Sequence, residues 1–262
     1  PAISTFVGPD IVCGLLATGL GTRGGPELLV DVGTNGEMAL AAGGRLWCCS
    51  TAAGPAFEGA EISAGMPALP GAIDDVWAED DGVHFSTIGR KRPKGICGTG
   101  LISAIDTHLR LGTIDPTGTM EGSSFDVGSS RIAITQDDVR RLQLAKAAIA
   151  AGIDTLLAEG ALAPEDIDAL HLAGGFGSYL QPRSAAGIGL IPWPLVEKTN
   201  PAGNTALTGA GFSEVDTAGA GLTAEASFTR SGGDELVSIG VLDDGGTRTV
   251  TIGGRVRVAT GS

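Results

Sequence analysis

The chain has 262 residues, with 43 glycines, 13 prolines, 42% hydrophobic residues and 18% charged residues. That is too apolar for a disordered tail and too rich in glycine for a helical bundle. The 17 Lys+Arg against 30 Asp+Glu give a formal charge of -13, which argues against general nucleic-acid binding, and no apolar run reaches the roughly 18 residues of a membrane-spanning helix.

Cys13, Cys48, Cys49 and Cys97 form no CxxC pair and no disulfide ladder, which favours a reducing cytoplasm. The chain opens at Pro1 without an initiator Met or a signal peptide, so it reads as processed or as a piece of something longer.

Taken in chain order, residues 10–20 predict a short apolar helix, and residues 27–31 a buried strand between Gly24-Gly25-Pro26 and Gly33. Residues 37–42 and 45–50 predict two more strands joined at Gly43-Gly44. Residues 71–77 and 82–88 predict a further β pair around Asp80-Asp81-Gly82, and a helix follows over about 98–111. The strongest helix signal covers 136–159. Thr135 is its N-cap, Asp137 and Asp138 lie in its first turn, and Gly160 is its expected stop. Val139, Leu142, Ala145, Ile149, Ile153 and Leu156 mark one buried face. Residues 167–173 predict a strand running into Gly174-Gly175-Phe176-Gly177. From about Ala218 the composition shifts to Gly, Ala, Thr and Ser, and residues 235–242 and 247–258 alternate as strands. The recurring order of strand, glycine turn and helix indicates an α/β protein.

Three glycine motifs are candidates for chemistry, and each has a plainer reading. In Asp31-Val32-Gly33-Thr34-Asn35-Gly36 a carboxylate ends a strand and exposed backbone N–H groups follow. That suits phosphate oxygens, with Asp31 on a magnesium ion through water, or simply a tight hairpin capped by Asp31. Gly174-Gly175-Phe176-Gly177 would let a flat ligand lie against the backbone, or would only turn a strand into a helix. Cys97-Gly98-Thr99-Gly100 opens a helix as a phosphate nest, a thiolate site, or a glycine turn around a buried inert cysteine. Glu58, in the loop 52–59, lines a cleft or a partner face, or is a solvated acid. Asp10 reaches a metal-bound water or merely complements its helix, and Lys146 reads as a surface lysine. His84, His108 and His171 share no metal-ligand spacing and read as structural. Cys48 and Cys49, adjacent on a strand, point to opposite faces.

The order of these motifs resembles the second half of an ATPase of the actin, sugar-kinase and heat-shock-chaperone superfamily. Residues 8–20 are similar to its first connecting helix, Asp31–Gly36 to its second phosphate motif, Ala173–Gly177 to its adenosine motif and Gly203–Ala210 to its last connecting helix. Gln143 and Lys146 stand where the chaperones contact adenine and ribose.

A closer resemblance is to the reductive activators of corrinoid proteins. It rests on residues 7–20 leading into Asp31–Glu37, on Ala53-Gly-Pro-Ala-Phe-Glu-Gly59, and on Gly95-Ile-Cys-Gly-Thr-Gly-Leu101, with 142–152 and 172–180 added. The resemblance implies an actin-like, ribonuclease H-like lobe with a mixed sheet and flanking helices over residues 1–210. An insert subdomain would occupy about 51–130, and 211–262 would be a partly β extension of open role. It implies ATP and Mg as cofactors, with Asp31 and Asp10 as catalytic residues. Gly33, Thr34, Asn35, Gly36, Gly98, Thr99, Gln143, Lys146, Gly174, Gly175 and Phe176 would bind the nucleotide. It also implies a corrinoid protein as partner, returned from Co(II) to Co(I), and a homodimer. The family's [2Fe–2S] ferredoxin cysteines, spaced C-x₄-C-x₂-C, are absent from these residues, so the cluster is expected N-terminal to them. Two other readings remain open here: an activator of 2-hydroxyacyl-CoA dehydratases with a subunit-bridging cluster near Cys97, and a non-catalytic docking or dimerisation module.

Overall fold

The computed structural model describes residues 9–177, 179–206 and 208, together with the backbone of three strands between 223 and 258. Helix α1 (Pro9–Thr18) starts on a proline and carries Asp10 in its first turn, two features that suit a helix N-terminus. Strands β1 (Glu27–Val32), β2 (Asn35–Ala42) and β3 (Arg45–Ala52) follow as an antiparallel meander. Then come β4 (Ala72–Glu79), β5 (Gly82–Thr87), β6 (Gly95–Ile96) and helix α2 (Gly98–Arg110). A short hairpin, β7 (Ser124–Asp126) and β8 (Ala133–Thr135), leads into helix α3 (Gln136–Gly160). Strand β9 (Ala169–Ala173), the single turn α4 (Gly174–Gly177), helix α5 (Pro182–Gly187) and strand β10 (Thr199–Gly203) follow. Strands β11 (Thr223–Ser231), β12 (Asp234–Asp243) and β13 (Gly246–Val258) complete the described backbone, and β12 and β13 cover the two strands expected there. No described helix is long and apolar enough to cross a membrane.

The large sheet runs β10-β9-β1-β2-β3-β13-β12-β11. Strands β10, β9 and β1 are parallel, and β2 and β3 turn antiparallel, so the sheet is mixed. Alternation along β1 assigns its two faces. Leu28, Val30 and Val32 join the core beneath α3, whereas Leu29 joins the core beneath α1. Asp31 shares the parity of Leu29 and therefore faces α1. The same rule separates Cys48, buried on the α1 side, from Cys49, which packs on the α3 side.

Helix α3 follows its expected span to within one residue. Thr135 Oγ1 accepts from the Asp138 N–H at 3.2 Å, and Asp138 Oδ2 accepts from the Thr135 N–H at 2.8 Å. This reciprocal capping box fixes the start. The buried Asp138 also accepts the Ser63 N–H through Oδ1 at 2.7 Å, tying the 54–66 loop to the helix. All six residues of the expected apolar face are buried, and Leu144 on the opposite face is 74% exposed. The expected stop at Gly160 stands. Gly160 ends the helix, but Ala161 takes the left-handed turn at φ 52°. Gly160 is there for closeness instead: a Cβ on it would lie 2.8 Å from Leu40 Cδ2.

The second sheet, β5-β4-β6, packs against α2. The β4–β5 register slips between Ile73 and Asp75, leaving Asp74 as an extra residue. Just past this bulge, hydroxyls of α2 bond to the strand backbone. The Ser103 hydroxyl accepts the Val76 N–H at 2.9 Å, and the Thr107 hydroxyl donates to Val76 O at 3.0 Å. A bulge bends the strand and re-aims its side chains.

At the β4–β5 tip His84 meets Asp81 at 2.7 Å and Glu79 at 4.0 Å, an exposed His–carboxylate group that sequence spacing did not reveal. His171 pairs loosely with Glu27, 4.0 Å away, and His108 stacks on Phe125.

Candidate functional site

Open α/β sheets bind ligands beyond the carboxyl ends of their parallel strands. Here β1 ends at Asp31-Val32, β9 at Ala173-Gly174 and β10 at Gly203-Asn204, and all three ends open on one cleft of about 1260 Å³. One wall is Asp31, Val32, Gly33, Gly174, Gly175 and Asn204, with Asp10 from the start of α1. The opposite wall is Asp74, Asp75, Ser86 and Thr87 of the small sheet, the turn reaching Arg90, and Cys97-Gly98-Thr99 at the start of α2.

Asp31 and Gly174 touch. Gly174 holds φ 93°, and a Cβ on it would lie 2.5 Å from Val32 O and 2.8 Å from Asp31 Oδ1. Any other residue would be strained there and would push the carboxylate aside. Gly175 is different: among the described residues, its chain neighbours aside, nothing lies within 4 Å of its Cβ position, and Gly175 lines the cleft.

The Asp31 carboxyl is pushed up from 3.8 to about 6. Burial is the main cause, followed by the charges of Asp10 and Glu37, with a lowering by the Thr205 hydroxyl. Thr205 is itself buried, and its hydroxyl faces the carboxylate without completing a well-formed hydrogen bond. The fold therefore holds a charge where it is costly, which is a common mark of a functional group.

The Asp31–Gly36 hairpin divides in function. Gly33 lines the cleft. Thr34 reaches it through Glu58, whose Oε1 accepts the Thr34 N–H at 3.1 Å and the Thr34 hydroxyl at 2.8 Å. Asn35 is exposed and outside the cleft lining. Gly36 is buried beneath α3, where a Cβ would run into Ile149 Cδ1 and stand 2.8 Å from Thr51 Oγ1. Its glycine serves packing.

The other expected residues separate likewise. Gly98 and Thr99 line the cleft. Cys97 lines it too but is only 3% exposed, its thiol directed at Ile73 O (3.2 Å) and close to Thr99 Oγ1 (3.3 Å), so it sits as a packed thiol. Gln143 and Lys146 are not brought to this cleft. They line a separate cavity of about 60 Å³, where Gln143 is held by Arg140 at 2.7 Å and by Thr117 O at 2.9 Å. The side chain of Phe176 lies outside the described residues. Of the helix expected over 203–210, Thr205, Ala206 and Thr208 are helical, and the rest lies outside the described residues or, for Gly203 and Asn204, in β10 and just after it.

The wall from β4 and β5 escaped the sequence reading. The bulge at Asp74 brings two successive carboxylates to one cleft, which the period of a regular strand forbids, and Ser86 donates to Asp74 Oδ1 at 2.6 Å.

Charge constrains the ligand. Asp10, Asp31, Glu58, Asp74 and Asp75 line the cleft, and Arg90 is the basic residue among them. A polyphosphate entering such a cleft needs an accompanying cation.

Residues 25–221 match the family described as the C-terminal domain of RACo, the ASKHA domain. The chain belongs to this family. Its members' shared fold, an actin-like α/β domain of mixed sheets and flanking helices, is the one described above.

Among relatives, the corrinoid activation enzyme RamQ of Eubacterium limosum is 35% identical over 237 residues, covering 80% of this chain and 40% of that protein. The [Co(II) methylated amine-specific corrinoid protein] reductase of Methanosarcina barkeri is 34% identical over 229 residues, covering 79% and 42%. A solved structure of a reductive activator for corrinoid, iron-sulfur protein superposes with a TM-score of 0.75 at 40% identity, covering 80% of this chain and 37% of that one. The chain thus spans about two fifths of the length of these relatives. Neither the dehydratase-activator reading nor the docking-module reading is favoured by these relatives.

Proposed function

We propose that this chain is the nucleotide-binding part of an ATP-dependent reductive activator, which returns Co(II) corrinoid proteins of methyltransferase systems to Co(I). The observation that carries the proposal is the contact between the Asp31 carboxylate and Gly174 at the mouth of three parallel strands. The names of the relatives supply the corrinoid side of it.

The donor set fits a magnesium nucleotide. Asp31 would hold the metal through water, with the charge of Asp10 beside it on the same wall. Gly33 and Thr34 present the hairpin's N–H and hydroxyl donors to phosphate, and the start of α2 at Gly98-Thr99 adds the positive end of a helix. Gly174 and Gly175 leave room for the nucleoside. Bound Mg·ATP would supply the free energy of phosphoryl transfer to water, which would make electron transfer to cobalt effectively one-way. The chain's own residues bind, orient and partly dehydrate it. Gln143 and Lys146 stand apart from this assignment, in their separate cavity.

The same proposal reads residues 1–210 as the second lobe of the ATPase, about 51–130 as its insert subdomain carrying the small sheet, and 211–262 as an extension. It places the [2Fe–2S] cluster in a segment N-terminal to these residues, the compartment in the cytoplasm, and the active form as a homodimer, which light scattering on the longer protein reads directly. The test is Co(I) formation in a corrinoid protein by that longer protein under an electron donor. ATP-dependent Co(I) formation that fails in Asp31→Asn supports the proposal, and equal formation without ATP contradicts it.

A further inference from the structure

We propose that the Glu58 carboxylate occupies the phosphate seat of the β1–β2 hairpin and is displaced when a nucleotide phosphate binds. The inference rests on the nucleotide reading above. One oxygen, Oε1, accepts both the Thr34 N–H (3.1 Å) and the Thr34 hydroxyl (2.8 Å). A backbone N–H and a hydroxyl converging on one anionic oxygen is the arrangement that a non-bridging phosphate oxygen uses. The hairpin's donors are therefore already satisfied by an anion belonging to the chain.

The backbone that presents Glu58 is fixed. Gly54 N–H donates to Thr34 O at 2.9 Å, so the loop is tied to the hairpin at its base. Ala56 and Phe57, in the short helical turn Pro55–Glu58, are buried in the main core. Gly59 follows at φ 78°, and a Cβ there would lie 2.7 Å from both Met66 N and Met66 O, which only glycine permits. Glu58 is exposed and faces the cleft. Its side chain can swing away while its Cα stays in place.

Two anions cannot share one N–H at hydrogen-bond distance, and the nearby carboxylates of Asp31 and Asp10 sharpen the repulsion. Phosphate binding thus includes the cost of breaking both Thr34 contacts. Glu58 therefore weakens phosphate-bearing ligands relative to adenosine, which need not displace it.

The test is calorimetric titration of MgADP, magnesium pyrophosphate and adenosine into the parent chain, Glu58→Gln and Glu58→Ala. In Glu58→Ala, MgADP and pyrophosphate should bind roughly threefold to tenfold more tightly, the range of one partly exposed charge-assisted contact. Adenosine affinity should not change, and Glu58→Gln, which keeps an oxygen but loses the charge, should fall between. Unchanged or weaker MgADP binding in Glu58→Ala overturns the inference, weaker binding marking Glu58 as a group that holds the metal. A parallel gain for adenosine also overturns it, because that reports a rearranged loop. If the parent binds neither MgADP nor adenosine, the nucleotide reading fails first and this inference falls with it.

Discussion

Replacing Asp31 by Asn should stabilise the folded chain, and by an amount set by pH. Burial, Asp10 and Glu37 raise the carboxyl from 3.8 to about 6. At about 1.4 kcal/mol per unit, ionising Asp31 in the native state costs about 3 kcal/mol. The sign follows from where the proton sits. Between about pH 4 and 6 the native state keeps a proton that the unfolded chain has lost, so stability falls as pH rises through that window. Below it the group contributes no penalty, and above it the full penalty applies. Asn has the same shape without the charge. Urea unfolding of parent and variant, followed across about pH 4 to 8, should show a difference near zero at the acid end. The difference should grow through the window and level at about 2–3 kcal/mol in favour of Asn. A pH-independent difference, or a variant less stable than the parent at about pH 8, would refute the view that the fold holds Asp31 against an electrostatic cost.

In the longer protein, Asp31→Asn should cut ATP turnover by roughly a hundredfold while weakening ATP binding far less, read by phosphate release against equilibrium binding. This chain by itself should show little or no ATPase activity and no visible absorption from a cluster, because phosphates, metal and water must be positioned together between two lobes. Steady turnover abolished by Asp31→Asn would show a complete site here. Asp138→Ala, which removes the α3 capping box and the Ser63 contact, should cost about 2–3 kcal/mol in urea unfolding. The neighbouring exposed Asp137→Ala should change stability by no more than about 0.5 kcal/mol. Ile153→Ala, in the face α3 turns to the sheet, should cost about 2–5 kcal/mol.

What the sequence made legible was local. Helix α3 announced itself through Thr135, the acids of its first turn and six residues at helical spacing, because capping and burial act within a few residues. The Asp31 hairpin and the Gly174 turn were visible as strand ends beside glycine, and the sheet brings them into contact through the parallel register of Asp31 with Ala173. The β4–β5 wall was not legible, since the strand just past the bulge at Asp74 is bonded by hydroxyls of α2 some thirty residues away. Strand β10 carries a proline and two polar residues at a sheet edge, and it lacks the alternation that marks a half-buried strand. Glycine was ambiguous in isolation. Gly36 and Gly160 are small for packing, and Gly174 is small because a carboxylate lies against it. Gln143 and Lys146 were placed by likeness of position on a helix, and the facing residues of this chain give that helix surface a different cavity.

Gly175→Val tests whether the cleft over Gly175 receives a nucleotide. Among the described residues, its chain neighbours aside, nothing lies within 4 Å of that Cβ position, so the fold should tolerate the side chain, with an unchanged circular dichroism spectrum and melting temperature. The added methyl groups would stand in the space assigned to the nucleoside. Calorimetric titration with MgADP should detect binding to the parent chain and none to the variant. Equal binding to both, with both folded, would contradict the claim.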